Sequence, residues 1–390
     1  MNVILRDFGR RLRLGVVGGS HGFIGPVHRT AARMDDAFEI VAGVLSSNPE
    51  RGRAAAAAMG LPAERAYPDV AAMVEAEQAR GDGIDVVAIM TPNADHYRSA
   101  MAALGAGLDV VCDKPLTTTL ADALSLVAEV DRTGLVFVTT YNYSAYPMVR
   151  QAREMVRAGE LGEIHQIHLT YVQGHNATLV EGTGDGRTWR FDPAQCGPSL
   201  ILGDIGTHAH HLGAHVSGHE LTAVLADLGA VVPGRQADDY AGVLLRWSNG
   251  ARGTMWVTNA AAGGEHGLAF RIFGDKGGLE WHQEQPNELL HRRLGGFEER
   301  LTRRLHGALH PLAERSARVE IGHPEGYQEA FANLYLEAAQ AVVARRTGRP
   351  LDPAVPRPPD VRDGARGIRF IEACIESARS GGWADARLEG

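Results

Sequence analysis

The first 140 residues alternate apolar, strand-like runs with helix-like stretches, and no other feature of the chain restricts its fold so far. The apolar runs fall at 12–18 (LRLGVVG), 38–45 (FEIVAGVL), 84–90 (IDVVAIM), 108–115 (LDVVCDKP) and 135–140 (LVFVTT). The stretches between them carry helix signals. SSNPERGRAAAAAMG, for example, offers a Ser/Asn cap, a proline in the first turn and a glycine stop. Strands covered by helices on both faces read as continuous apolar runs. The pattern therefore predicts α/β architecture with a doubly wound parallel sheet, and ligands then bind beyond the carboxyl ends of its strands.

Beyond residue 140 the pattern changes. A helix is expected at 147–158 and strands at 162–174 and 221–232. DYAGVLLRWSNGARGTMWVTNA (239–260) reads as a hairpin around Asn249–Gly250, and FRIFGDKGGLEWHQ (270–283) as a second hairpin turning at 274–278. Consecutive hairpins predict an antiparallel sheet. A length of 390 residues fits two domains, placed here at 1–140, with 1–11 as an N-terminal extension, and at 141–390. The broad apolar face of the second sheet predicts a homodimer or homotetramer.

The formal net charge is −8 and no basic stripe is present, which argues against nucleic acid or an anionic membrane as partner. RLTRRL at 300–305 reads as solvated surface. Cys112, Cys196 and Cys374 are too far apart for a metal knuckle or a disulfide framework. The N-terminus lacks the form of a signal peptide, and no run of ~18 apolar residues exists to span a bilayer. The expectation is a cytoplasmic protein.

Four stretches carry chemistry. The first strand ends in GVVGGSHGFIG, where Gly18, Gly19, Ser20, Gly22, Phe23 and Ile24 would line a pyrophosphate turn. The spacing departs from GxGxxG: Gly22 and Gly25 fit its last two positions and Ser20 stands at the first. Small residues there let backbone and a helix N-terminus approach a diphosphate. After the second strand, where an acid would bind an adenosine ribose, stand Ser46, Ser47 and Asn48, followed by Arg51 and Arg53. That choice favours NADP(H) over NAD(H). TPNADHY places Thr91, Pro92, Asn93 and His96 at the next strand end as cofactor contacts, and CDKP places Asp113 and Lys114 at the following one. A lysine at the end of a buried strand is costly unless it reaches a ligand, and it can lower the pKa of a substrate hydroxyl.

The fourth stretch is GDIGTHAHHLGAH (203–215). Asp204 and His208 lie one helical turn apart, and a carboxylate beside an imidazole suits acid–base work. Asp204, His208, His211 and His215 also fit one helical face, which raises a metal as rival. One straight helix cannot wrap four ligands around an ion, so no metal is expected, and His210, His211 and His215 read as packing or surface residues. Weaker substrate candidates are Tyr141, Asn142 and Tyr143 after the last parallel strand, and Trp189 and Arg190 in the Gly-rich connection 175–197. His323 reads as a surface residue at the start of a helix.

Together, the glycine-rich start, TPN, a (E/D)KP tripeptide and GDIGTHAHHL about ninety residues on resemble the glucose–fructose oxidoreductase/inositol dehydrogenase (Gfo/Idh/MocA) family. The resemblance implies an N-terminal Rossmann domain and a C-terminal α/β domain with a large open, mainly antiparallel sheet. It further implies an NAD(P)-dependent oxidoreductase acting on a carbinol of a sugar, glycoside, anhydrosugar or inositol. By position, Lys114 matches the lysine that holds the reacting hydroxyl, Asp204 the substrate-side aspartate and His208 the proton shuttle. Asp113 replaces the usual glutamate. Two other readings stand beside it: a nucleotide-retaining hydrolase or lyase working through transient oxidation, and a catalytically silent binding protein.

Overall fold

The structure is a computed structural model that describes residues 2–179, 188–303 and 309–389. By packing, the chain divides into two compact units: Met1–Thr140 with Gln328–Gly364, and Tyr141–Tyr327 with Ala365–Gly390.

The first unit begins with α1 (Val3–Phe8), β1 (Leu12–Gly18), α2 (Ile24–Met34), β2 (Phe38–Val44), α3 (Pro49–Ala58), α4 (Val70–Gln78) and β3 (Val86–Met90). It continues through α5 (His96–Gly105), β4 (Asp109–Cys112), α6 (Leu120–Thr133) and β5 (Phe137–Thr139). Among the described residues these five strands pair in parallel in the order β2-β1-β3-β4-β5. Each lies inside one of the predicted apolar runs, and all five residues of β3 are buried. The strand order reverses between β1 and β3, the position where ligands bind doubly wound sheets.

The second unit contains α7 (Pro147–Arg157), β6 (Ile164–Val172), α8 (Pro193–Cys196), one π-helical turn (Leu202–Gly206), α9 (Thr207–Ser217) and β7 (Leu221–Gly229). Then follow β8 (Tyr240–Trp247), β9 (Arg252–Thr258), β10 (Gly267–Gly274), β11 (Gly277–His282), β12 (Glu288–Arg293), β13 (Glu298–Thr302) and α10 (Pro311–Glu314). The chain ends with α11 (Tyr327–Thr347), α12 (Val361–Ser380) and β14 (Ala384–Asp385). Among the described residues the sheet runs β13-β12-β11-β10-β6-β9-β8-β7-β14. Only β6 and β9 pair in parallel; the other neighbours are antiparallel. The two predicted hairpins are β8–β9, with Gly250 left-handed in the turn (φ 88°), and β10–β11. One face of the sheet carries α9. A Cβ on Gly213 would lie 2.8 Å from the Leu169 side chain and 3.1 Å from that of Trp247, so glycine lets the helix seat closely on the sheet. The other face presents exposed Leu244 and Trp256 and an ion-pair ladder, Arg271–Glu280–Arg292–Glu298.

Two sequence readings are corrected. Residues 328–364 pack with the first unit, not with 141–327. Tyr335 of α11 meets Phe38 edge-on at 5.6 Å and bonds His28 Nδ1 at 2.8 Å. Arg345 forks onto Asp109 at 2.9 and 2.7 Å, and Arg346 reaches Asp85 at 3.1 Å. Both carboxylates are buried and need cations from outside their own segment. The second correction concerns RLTRRL, which is not wholly solvated. Arg300 is exposed, but Arg303 is buried and pairs with Glu325 at 3.0 Å. Arg304 and Leu305 lie outside the described residues, as do 180–187 of the 175–197 connection. No helix among the described residues is long and apolar enough to cross a membrane.

Candidate active site

The turn after β1 is made by backbone conformation. Gly18, Gly19 and Gly22 all adopt positive φ (80°, 68° and 82°), and a Cβ on Gly25 would fall 1.9 Å from the Gly19 carbonyl oxygen. Gly18 and Gly19 thus form the tight turn expected of a first fingerprint glycine, while Gly25 lets α2 close against it. Ser20, assigned to that first position by spacing, instead bonds the neighbouring His21 ring at 2.8 Å. Phe23 is exposed and Ile24 starts α2, so the positive end of that helix opens beside the glycines. A cradle of main-chain amides, with the Arg29 side chain donating to the Gly19 carbonyl, fits a diphosphate.

After β2, Asn48 caps α3 by accepting the Arg51 N–H at 3.0 Å, and Ser46 Oγ accepts the Asn48 N–H at 3.1 Å. Ser47, Arg51 and Arg53 are exposed. Thr91 and Pro92 follow β3, and Asn93 opens a short 3-10 turn before α5. His96, expected to touch cofactor, is the first residue of α5. It is 0% exposed, and its Nδ1 and Nε2 face the carbonyls of Pro115 (2.9 Å) and Thr91 (3.0 Å). Asp113 Oδ1 accepts the Lys114 N–H and the Thr140 hydroxyl, both at 2.9 Å, so this acid shapes the turn that carries half-buried Lys114.

In the second unit, Asp204 lies in the π turn and His208 in the first turn of α9. The sequence spacing assumed a straight α-helix; Gly203 and Gly206 permit the wider turn, a feature enriched at functional sites. His208 is buried and boxed by tyrosines. Its ring meets Tyr143 edge-on at 4.8 Å and Tyr141 at 5.8 Å, with Tyr171 tilted at 6.4 Å. Tyr143 and Tyr171 share a hydroxyl–hydroxyl bond of 2.6 Å. Burial raises both phenols far above the usual range, and the Asp204 carboxylate raises them further. Asp204 and His208 therefore converge on Tyr143. Tyr171, unmarked in the sequence reading, is the partner contributed by β6; only pairing could bring it there.

Arg190 Nε approaches Asp204 at 3.8 Å, and its guanidinium stacks over the Trp189 ring at 4.6 Å, so Arg190 links Trp189 to the acid. Asn142 is 0% exposed, and neither amide atom has a hydrogen-bond partner among the described residues. The neighbouring histidines pack: His210 stacks on Phe370 at 4.9 Å, His211 on Tyr141 at 4.3 Å, and His215 meets Arg153 at 2.7 Å. Among the described residues no three His, Cys, Asp or Glu side chains cluster for a metal ion. His323 is exposed.

A glycine turn against a helix N-terminus on a doubly wound sheet in the first unit, and a tyrosine-boxed histidine in the second, are each features met in nicotinamide-dependent α/β oxidoreductases. The comparisons agree. Residues 12–141 match the oxidoreductase family with NAD-binding Rossmann fold, and residues 149–280 match the GFO/IDH/MocA C-terminal domain. The chain belongs to the GFO/IDH/MocA oxidoreductase family. It is 37% identical to an uncharacterised oxidoreductase of Bacillus subtilis over 96% of this chain and 97% of that protein. It resembles the crystal structure of an inositol dehydrogenase homologue from Azotobacter vinelandii complexed with NADH and myo-inositol. That match has 36% identity and a TM-score of 0.89, covering 96% of this chain and 98% of the other. A levoglucosan dehydrogenase structure with NADH and levoglucosan matches at 26% identity and a TM-score of 0.82, covering 96% and 99%.

Proposed function

We propose that this NAD-binding oxidoreductase transfers hydride between nicotinamide and a ring carbinol of a sugar, glycoside, anhydrosugar or inositol. The observation that carries the reading is His208, buried among Tyr141, Tyr143 and Tyr171, with Asp204 acting on the same phenols. Main-chain amides at Gly18–Gly22 and the start of α2 hold the diphosphate, and residues 91–93 border the dinucleotide. The bound cofactor supplies a hydride acceptor at the nicotinamide ring. His208 takes the carbinol proton, Asp204 and Lys114 orient the oxygen, and Asn142, Tyr143, Trp189 and Arg190 contact the remaining hydroxyls. The reductive direction uses the same groups in reverse. The myo-inositol and levoglucosan bound in two structural relatives support a cyclic polyol.

The finer cofactor reading is a preference for NADP(H) in a cytoplasmic enzyme. It rests on the absence of an acid after β2 and on exposed Ser47, Arg51 and Arg53. Arg51→Ala should lower kcat/KM for NADP about tenfold, one charged hydrogen bond's worth, and leave NAD unchanged. The open face around Leu244 and Trp256 supports assembly into a homodimer or homotetramer.

The experiment is absorbance of reduced nicotinamide on offering NAD or NADP with inositols, aldoses, anhydrosugars and glycosides. Turnover of one ring class is expected. Silence across the panel with cofactor bound would overturn the substrate reading.

A further inference from the structure

α2 reads IGPVHRTAARM, with Arg29 and Arg33 on it and no acid. Arg29 Nη1 donates to the Gly19 carbonyl, in the turn whose glycines form the cradle. That carbonyl lies against Gly25, one helical turn before Arg29, so the guanidinium reaches back to the start of α2. The place is costly for a cation. Arg29 is half-buried, and burial lowers its pKa. Arg33, one turn on, repels it and lowers the pKa further. The positive end of the helix opposes it as well. Against these stands one hydrogen bond to a neutral carbonyl. Among the described residues no carboxylate pairs with Arg29.

We infer that Arg29 is a cofactor-binding residue whose guanidinium donates to the diphosphate of the dinucleotide at the glycine turn. An anion there offsets each of the costs: it pairs the half-buried cation, screens it from Arg33 and lies well at the positive end of α2. The amides of the turn offer partial charges only, whereas the diphosphate bears full ones; Arg29 supplies a full positive charge in reach of the same turn. A guanidinium has several N–H donors in a fork, so the bond to Gly19 leaves others for phosphate oxygens. That bond also fixes the side chain before the ligand arrives, which lowers the entropy lost on binding. The role differs from that of Arg51 and Arg53, which follow β2 and stand where a 2′-phosphate would be read. NAD and NADP carry the same diphosphate, so Arg29 contributes to both.

The proposal rests on the NAD-binding Rossmann domain and not on the substrate reading, so its test measures binding without turnover. Calorimetric titration of the full chain with NADH, NADPH and ADP-ribose gives the dissociation constants. Arg29→Gln keeps an N–H donor for the Gly19 carbonyl and removes the charge. It should weaken all three ligands about tenfold, one charge-assisted hydrogen bond's worth, and leave the melting temperature of the ligand-free protein unchanged. Raising the ionic strength should weaken binding to the native chain more than to the variant, because salt screens the charge that the variant lacks. Arg29→Lys, which keeps the charge and loses the fork, should fall between the two. Native affinities in Arg29→Gln overturn the proposal. A loss confined to NADPH also overturns it, since the guanidinium would then meet the 2′-phosphate. So does an equal loss with native salt dependence, which would make Arg29 a brace of the glycine turn and nothing more.

Discussion

At the scale of single residues, the site depends on groups whose neighbours change what they can do. His208 is buried among three tyrosines, and the Asp204 carboxylate raises the pKa of two of those phenols, Tyr143 and Tyr171, beyond what burial does. His208→Ala should lower kcat by about 10²–10⁴-fold, the usual worth of a general acid–base group, while the dissociation constant for nicotinamide cofactor, measured by fluorescence titration, stays within about twofold. Greater damage from His211→Ala would move the role to another ring. Gly25→Ala tests the cradle: its Cβ would fall 1.9 Å from the Gly19 carbonyl, so cofactor binding should be lost while the second unit keeps its own melting transition. Lys114, Asp204 and His208 could be singled out as candidates because strand-end position and DxxxH spacing are local properties. Tyr171 was not, because nothing in IHLTYVQG distinguishes it from an ordinary inward strand residue.

At the scale of elements, the parallel strands were readable because burial on both faces writes a continuous apolar run. α4 escaped notice although Asp69 caps it, with its side chain accepting the Ala72 N–H at 2.8 Å; its mixed Val/Ala/Glu composition lacks a sharp periodicity. α9 shows a different loss of information. Its histidines look like ligands in one dimension and are packing groups in three. His210 stacks on Phe370, and burial pushes its pKa down to about 3. A folded value below the unfolded ~6.5 means that the unfolded state binds the proton more readily. This contribution to stability is complete above about pH 6.5 and is lost as pH falls towards 3, at up to ~1.4 kcal/mol per pH unit. Buried His215 acts in the same direction. Denaturation midpoints measured between pH 7 and 4.5 should therefore fall less steeply in His210→Phe than in the native protein. Equal slopes would remove His210 from the account. On α11, Arg345→Met leaves the buried Asp109 carboxylate without its forked partner. It should destabilise the first unit by about 3 kcal/mol in urea unfolding.

At the scale of the whole molecule, the open sheet face sets the assembly prediction. Leu244 and Trp256 stand exposed on adjacent strands, offset by two pairs in the β8–β9 register. Apolar groups of that size on an open sheet face suit burial against a second copy. Light scattering of the native chain should give a dimer or tetramer, and Leu244→Glu with Trp256→Glu should give a smaller species. A native monomer at micromolar concentration would exclude the face as a self-interface.

The sequence by itself determined the parallel sheet, the hairpins of the second sheet and the candidacy of Lys114, Asp204 and His208. These follow from period, turn chemistry and strand ends, which are properties of neighbours in the chain. The tertiary structure alone decided that residues 328–364 return to the first unit, that Arg303 is buried, that His96 turns both nitrogens to backbone, and that Tyr171 joins Tyr143 at His208. Each of these joins groups far apart in sequence, where a buried charge or polar atom selects its partner by proximity after folding and leaves no periodic trace in the chain.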